Sequence, residues 1–370
     1  MTKVLILSPS ITIHDAVSND IWLQFEAIRS FGWSPFIYAE HVSSELANRL
    51  ITKDNALMIA QDPEAIIIYH QMVYWPSGWA FFEAVRGKLI FRYHNITPAH
   101  FFEAYDDSIA VFATREGLLQ TRQMVASGKI SLYLSASQFN NSDLIDMGAD
   151  PKKMEVLAPF HPISKQSGKD SVPISPAVRR IFEEKPPSTH LLFVGRFAPN
   201  KGHFQCLNVL EACLGLFPDE DFCLHFVGSV ASATKGYFSK LLNEIETRGL
   251  GSKVLLWDKC AEDELQSLYR LSDVFLLMSE HEGFCVPILE AQLCGLPVIA
   301  FDAGAVKETL GPEQLCFSET DPKIFATAIH MIKRDPQMKD YLVNSGYERA
   351  KRFRYMQQIE KLRNLLVGGQ

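Results

Sequence analysis

No window of the sequence approaches the roughly 20 apolar residues that a helical membrane span requires. The N-terminal apolar run Val4–Leu7 reaches Ser8 and Pro9 at once, far short of the apolar region of a signal peptide. The expectation is a cytoplasmic protein, with a peripheral contact at the inner face of a membrane still compatible. The seven cysteines are odd in number, all lie in the C-terminal half, and none forms a Cys-x-x-Cys pair. That pattern fits a reducing compartment and argues against structural zinc. Basic residues are also in deficit, 36 Lys and Arg against 43 Asp and Glu. A formal charge of −7 leaves no excess cation to hold a nucleic acid by counterion release.

Several chemistries are excluded in the same way. There is no Gly-x4-Gly-Lys-Ser/Thr loop, no Gly-x-Gly-x-x-Gly after the first strand, no Gly-x-Ser-x-Gly elbow and no His-Glu-x-x-His. Kinase, dinucleotide-dependent dehydrogenase, serine hydrolase and zinc protease are disfavoured. The one Asp-x-Asp, Asp219-Glu220-Asp221, follows Pro218 and reads as a polar turn before a strand. A metal-independent reaction without a bound cofactor is expected.

What the chain does have is length and rhythm. Its 370 residues, 47% hydrophobic and 21% charged, suit a soluble protein of two domains. Short apolar runs alternate with amphipathic stretches, the pattern of a parallel α/β sheet. Strands are expected at Val4–Leu7, Phe36–Ala39, Ala65–Tyr69, Leu89–Tyr93, Ile130–Leu134 and Glu155–Leu157, with a helix over Asp20–Phe31. Prolines 159, 162, 173, 176, 186 and 187 then interrupt the rhythm. It resumes at Leu191–Val194, Cys223–Val227, Val254–Trp257, Val274–Met278 and Val298–Phe301. This gives a first domain over 1–160, a linker over 161–187 enclosing one short helix, and a second domain over 188–349. A last helical run, Tyr347–Leu366, could dock anywhere, including back on the first domain.

Ligands of open parallel sheets bind beyond the carboxyl ends of the strands. Two loops there carry dense chemistry. Ser279 to Ala291 places Glu282 in a strand-to-helix loop, Pro287 in a first helical turn and Glu290 about one turn inside. The amides of Gly283, Phe284, Cys285 and Val286 would sit at a helix N-terminus, which favours anions and sugar hydroxyls. An acidic cap on a buried helix explains the segment equally well. The second loop, Val194 to Gly202, carries Arg196 and Lys201, five residues apart, a spacing able to clamp a diphosphate. Alone it reads as a solvated basic loop; membership of the same sheet as Glu282 strengthens it.

These residues resemble the retaining, nucleotide-sugar-dependent glycosyltransferases of family 4, with their two-domain GT-B architecture. The resemblance rests on Gly195-Arg196 with Lys201-Gly202, on Glu282-x7-Glu290, on Gly295-Leu296-Pro297-Val298-Ile299-Ala300, and on Gly304-Ala305 with Glu308. It implies two Rossmann-like domains facing across a cleft, acceptor bound by the first and donor by the second, with a C-terminal helix over about 350–370 returning to the first. Arg196 and Lys201 would hold the donor diphosphate and stabilise charge on the leaving group. Glu282 with Gly283, Phe284, Cys285 and Val286 would hold the sugar, and Glu290 the ribose. Gly228 with Ser229, and Asp258 with Lys259, would meet the base. Cys285 departs from the family's frequent Gly.

In the first half, His94 of Phe91-Arg92-Tyr93-His94-Asn95-Ile96-Thr97-Pro98 stands where similar family members carry a histidine near the reacting sugar, and His70 competes for that role. The family's Gly-Gly pair after the first strand is replaced by Ser8 to Asp20. There His14 and Asp15 are candidate contacts to acceptor or donor, and Ser18 or Asn19 a helix cap. The segment Tyr69 to Trp79 suits sugar or isoprenoid stacking as well as core packing. Arg115, Arg122 and Lys129 suit an anionic membrane as well as a solvated helix face.

The expected function is metal-independent, retaining hexosyl transfer from a nucleotide-diphosphate sugar to a glycan or polyprenyl-linked acceptor. The subgroup most similar is that of bacterial surface-polysaccharide and lipopolysaccharide mannosyltransferases, with GDP-mannose as leading donor. Alternatives are a trehalose-synthase-like or epimerase activity on the same fold, or a non-catalytic nucleotide-sugar binder.

Overall fold

The computed structural model describes every residue except 13–14, 106, 166–172, 185–187, 259 and 369–370. His14 and Lys259 therefore lie outside the described residues. Contacts divide the chain into two compact units. Unit 1 comprises Met1–Ala99, Val111–Lys165 and Phe353–Gln370; unit 2 comprises His100–Ala110 and Gln166–Arg352.

Unit 1 is a parallel six-stranded sheet. Its strands are β1 (Lys3–Ile11), β2 (Ser34–Val42), β3 (Ile66–Gln71), β4 (Lys88–Tyr93), β5 (Leu132–Ser135) and β6 (Met154–Val156), in the order β2-β1-β3-β4-β5-β6. Continuous apolar runs suit strands covered on both faces. Leu5, Leu7, Ile67, Leu89 and Phe91 pack on one face, and Val4, Ile6, Ile68, Ile90 and Leu134 on the other. β1 runs beyond the expected Leu7 because β2 pairs with it as far as Ile11↔Val42, while its pairing with β3 ends at Leu7↔Tyr69 and leaves that side tolerant of Pro9.

Unit 2 repeats the plan with β7 (Thr189–Val194), β8 (Phe222–Val227), β9 (Val254–Trp257), β10 (Val274–Leu277), β11 (Val298–Phe301) and β12 (Leu315–Phe317). The order β12-β11-β10-β7-β8-β9 is that of a Rossmann sheet. Its strand order reverses between β7 and β10, so the loops after those two strands flank the switch point. β12 escaped the sequence reading because three half-buried residues give no periodic signal.

Three boundaries differ from expectation. The segment His100–Ala110 belongs to unit 2, where Tyr105 packs edge-on to Tyr237 and Lys240 donates to the Ala104 carbonyl. The expected linker contains anchored structure. Phe160 and Ile163 are buried with unit 1, while the helix Pro176–Glu184 buries Val178 and stacks Phe182 on His190 and His225. The final helical run begins earlier than expected and is two helices, Pro336–Lys351 and Tyr355–Val367; the second lies in unit 1, where a C-terminal helix was expected to return, and packs there through Leu362 and Leu366.

Candidate active site

The loop after β7 and the loop after β10 are fastened to each other. Asn200 donates to the His281 carbonyl at 3.1 Å, and the Glu280 amide donates to the Asn200 carbonyl at 2.9 Å. Gly202 adopts φ +69°, and a Cβ there would lie 1.9 Å from the Met278 carbonyl oxygen. Only glycine permits this approach. Across the junction Lys201 Nζ pairs with Glu282 Oε1 at 2.8 Å, both side chains largely buried. Arg196, on the same loop, is exposed and has no hydrogen bond or ion pair among the described residues.

Beyond Glu282 the chain enters the helix Val286–Leu293, with Pro287 in its first turn. Cys285 caps it at φ +71°, a left-handed conformation uncommon for any residue but glycine. Burial and the Glu282 carboxylate hold its thiol well above the usual range, so it stays protonated. The amide of Ala305 donates to the Glu282 carbonyl at 2.9 Å, which fixes the backbone of that glutamate. Glu290 is one turn further, accepting from the Tyr269 hydroxyl at 2.8 Å, and burial pushes its carboxyl up to about 7. Gly228 follows β8 and donates to the Trp257 carbonyl at 3.0 Å; Asp258 follows β9 and is exposed.

Sequence reasoning overlooked two neighbours. His281 sits 6.0 Å, ring to ring, from Phe101 of the segment His100–Ala110, and burial lowers its imidazole to about 4. Burial raises the Glu280 carboxyl, with His100 acting in the opposite direction and Gln205 donating to it at 2.7 Å. The Glu-His-Glu triplet was the available signal; the contribution of Phe101 and His100 was not, since they are distant in sequence.

Unit 1 has its own polar centre at the carboxyl ends of β3 and β4. His70 Nδ1 lies 2.8 Å from His94 Nε2, with the rings nearly parallel. Behind them Arg92 and Asp20 form an ion pair with no solvent exposure. Asp20 Oδ2 takes Arg92 Nε at 3.1 Å and Nη2 at 3.0 Å, and Oδ1 takes the Phe160 amide at 2.9 Å. The two histidines that competed for one role are thus adjacent. Ligand atoms of Asp20, His70 and His94 fall within 4.8 Å of one another, a grouping of metal-ligand types. Arg92 already neutralises Asp20, so a divalent ion would add two uncompensated charges to a buried site.

Other expectations are placed as follows. Asp15 caps the helix Ala16–Ser30, accepting from the Ser18 amide and hydroxyl at 2.9 Å, so neither Ser18 nor Asn19 is the cap. Tyr69 and Trp75 are core residues, their rings 5.3 Å apart. Tyr69 also stacks on Phe91. Glu220 and Asp221 are engaged by Arg334 and Lys253 respectively. Lys129 donates to the Glu83 carbonyl, while Arg115 and Arg122 share the exposed face of the helix Ser108–Ala126 with Phe112 and Leu119. No helix among the described residues is long and apolar enough to cross a membrane.

Residues 175–349, which hold both switch-point loops, match the family model for glycosyl transferases group 1. The match covers just under half of the chain. Among curated relatives, the D-inositol 3-phosphate glycosyltransferase of Rhodococcus jostii (strain RHA1) is 26% identical over 278 residues, covering 72% of this chain and 60% of that protein. The enzyme of the same name from Rhodococcus opacus (strain B4) is 25% identical over 77% of this chain and 64% of its own length. The chain thus spans just under two thirds of these relatives. Among solved structures, Anabaena Alr3699/HepE in complex with UDP and glucose superposes with a TM-score of 0.75 at 17% identity, covering all of both chains. Sucrose-phosphate synthase from Thermosynechococcus elongatus does so at 0.74 and 16% identity, again over all of both chains. The two parallel-sheet units are those of the GT-B architecture.

Proposed function

We propose that the protein is a retaining glycosyltransferase that moves a hexosyl group from a nucleotide-diphosphate sugar without a metal. The observation that carries this reading is the Lys201–Glu282 pair at the Rossmann switch point. An ammonium has three donors. Lys201 can therefore meet a diphosphate while keeping one bond to Glu282, and Arg196 adds an exposed guanidinium on the same loop. Departure of a nucleoside diphosphate from an anomeric carbon leaves negative charge on the phosphate, and preorganised cations stabilise that charge. Glu282, its backbone fixed by Ala305, is assigned to the sugar hydroxyls together with the amides of Gly283 to Val286. Glu290 is assigned to the ribose, and His94 to the reacting sugar.

The donor identity separates two forms of this reading. Similarity to surface-polysaccharide enzymes favours GDP-mannose, whereas the neighbour solved with UDP and glucose favours a uridine nucleotide. The glycosyltransferase relatives named for D-inositol 3-phosphate add a phosphorylated polyol to glycans and polyprenyl-linked sugars as acceptor classes. Thermal shift against UDP, GDP, ADP, CMP and their sugars, with chelator present, tests nucleotide binding directly, because a ligand of the native state raises its apparent stability. Lys201→Ala and Glu282→Ala are each expected to cut transfer at least about tenfold with the fold retained. Near-wild-type transfer by both variants, or no shift with any nucleotide, would overturn the assignment.

A further inference from the structure

We propose that His70 is a positioning residue that fixes the tautomer of His94, leaving His94 with its proton on Nδ1 as a hydrogen-bond donor. This deepens the reading above, since it presumes that His94 meets a substrate.

The 2.8 Å contact between His70 Nδ1 and His94 Nε2 holds one proton. Burial is the main reason both imidazoles lie well below their ordinary range, so both rings are neutral and each carries one N–H. Two arrangements satisfy the contact. In the first, His94 donates from Nε2, His70 accepts at Nδ1, and the proton of His70 sits on its own Nε2. That nitrogen is fully buried and has no hydrogen-bond partner among the described residues, so this arrangement strands an N–H in the core. In the second, His70 donates from Nδ1, and its Nε2 carries only a lone pair. Orphaned buried N–H groups are rarer in proteins than under-satisfied acceptors. The second arrangement is therefore the one the surroundings favour, and it puts the His94 proton on Nδ1.

Asp20 does not compete for the His94 proton. Its Oδ2 is 3.9 Å from His94 Nε2, beyond hydrogen-bond range, and is already occupied by two Arg92 N–H groups. The Arg92 guanidinium is itself locked, donating from Nη1 to the Leu157 carbonyl at 2.6 Å. The rest of the frame is equally fixed. The His94 amide donates to the Gln71 carbonyl at 3.0 Å, which continues the β3–β4 ladder one residue past β4. Asn95 follows at φ +69°, its amide held by Asn140 and Asp143. His70 is fully enclosed, while His94 retains a small exposed edge, so His94 is the ring able to touch a ligand and His70 is the ring behind it. A His94 with Nδ1–H donates to a sugar hydroxyl or ring oxygen; the other tautomer would offer a lone pair there instead.

The test is a long-range 1H–15N correlation spectrum of the full chain labelled with 15N-histidine, with His94 assigned by its loss in His94→Gln. The expected signature is a protonated Nδ1 and an unprotonated Nε2 on His94, read in the unmutated protein, with His94→Gln serving only to assign the signal. An Nε2–H His94 overturns the proposal. His70→Asn places an amide donor where Nδ1 was, and is expected to keep both the signature and turnover of UDP-glucose or GDP-mannose within about threefold. His70→Leu removes the donor, and is expected to shift His94 to Nε2–H and lower kcat about tenfold with little change in donor KM, the scale seen when a partner that orients a functional histidine is lost. Equal kcat in His70→Leu and unmutated protein overturns the positioning role. The reading on which it rests is tested separately: unchanged turnover in His94→Gln removes His94 from the reaction, whatever its tautomer.

Discussion

Glu290 is where single-residue chemistry meets conditions most directly. Burial raises its carboxyl to about 7 from an ordinary value of 4.5, against the opposing hydrogen bond from Tyr269. A folded-state pKa above the unfolded one means that the folded protein prefers the neutral acid. The associated stability is full below about 4.5 and is lost as pH rises through about 7. Glu290→Gln, which mimics the neutral form, is expected to stand within about 1 kcal/mol of the unmutated protein at pH 5 and to be more stable at pH 8, by on the order of 3 kcal/mol. If the carboxylate also accepts ribose hydroxyls, nucleotide affinity rises across the same interval in the unmutated protein and stays flat in the variant. Thermal melts with and without nucleotide at pH 5, 6.5 and 8 check both slopes, and parallel curves for the two proteins would contradict them. Cys285 poses a simpler question. Its left-handed backbone strains any residue with a Cβ, and a β-branched one most. Cys285→Gly is expected to stay within about 1 kcal/mol of the unmutated protein, since relief of strain offsets the lost thiol contact and the more flexible unfolded chain. Cys285→Val is expected to lose about 2 kcal/mol or more. Chemical denaturation measures the pair, and a Gly variant weaker than the Val variant would refute the strain argument.

At the scale of elements, the site depends on two loops held at backbone contact. The Gly202 position lies against the Met278 carbonyl, so Gly202→Ala forces the β7 loop away from the end of β10. The expected result is loss of measurable nucleotide binding with far-ultraviolet circular dichroism unchanged; retained binding would mean that the junction is not needed. This part of the molecule was legible in the sequence because its strands are continuous buried runs and its chemistry is local: Arg196 with Lys201 on one loop, Glu282 with Glu290 on the next. The shared sheet of the two loops was legible, but the Lys201–Glu282 ion pair was not, because side-chain pairing between loops 81 residues apart leaves no local sequence signal. The His70–His94 contact was not legible, because two residues that each end a strand look like alternatives until the parallel register sets His70 beside Arg92. Asp15 hid for a related reason. Asp, Ser and Asn all cap helices well, and a run containing Asp15, Ser18 and Asn19 leaves the choice to tertiary packing. The segment His100–Ala110 was misassigned because its partners, Tyr237, Lys240 and His281, are more than 130 residues away.

The whole molecule is two sheets with separate cores, and the last helix belongs to the first of them although the chain reaches it from the second. The break lies between Lys351 and Tyr355, where one helix ends and another begins. Leu362 and Leu366 of the final helix are buried among Ile21, Ile28 and Ile90 of unit 1. Lys88 donates to the Leu365 and Leu366 carbonyls, a cation at a helix C-terminus. Two buried leucines contribute about 3–6 kcal/mol between them. Removing residues 353–370 should therefore destabilise unit 1 by that order, which for a unit of this size lowers its melting temperature by roughly 10 °C or more. Unit 2 keeps its own sheet and the Lys201–Glu282 junction, so its response to nucleotide should survive the truncation. Differential scanning calorimetry with and without UDP and GDP separates the two effects: truncation should move one transition and nucleotide the other. A single transition that truncation and nucleotide both shift as a whole would show that the cores melt as one, and would return the final helix to the status of a structural element common to both units.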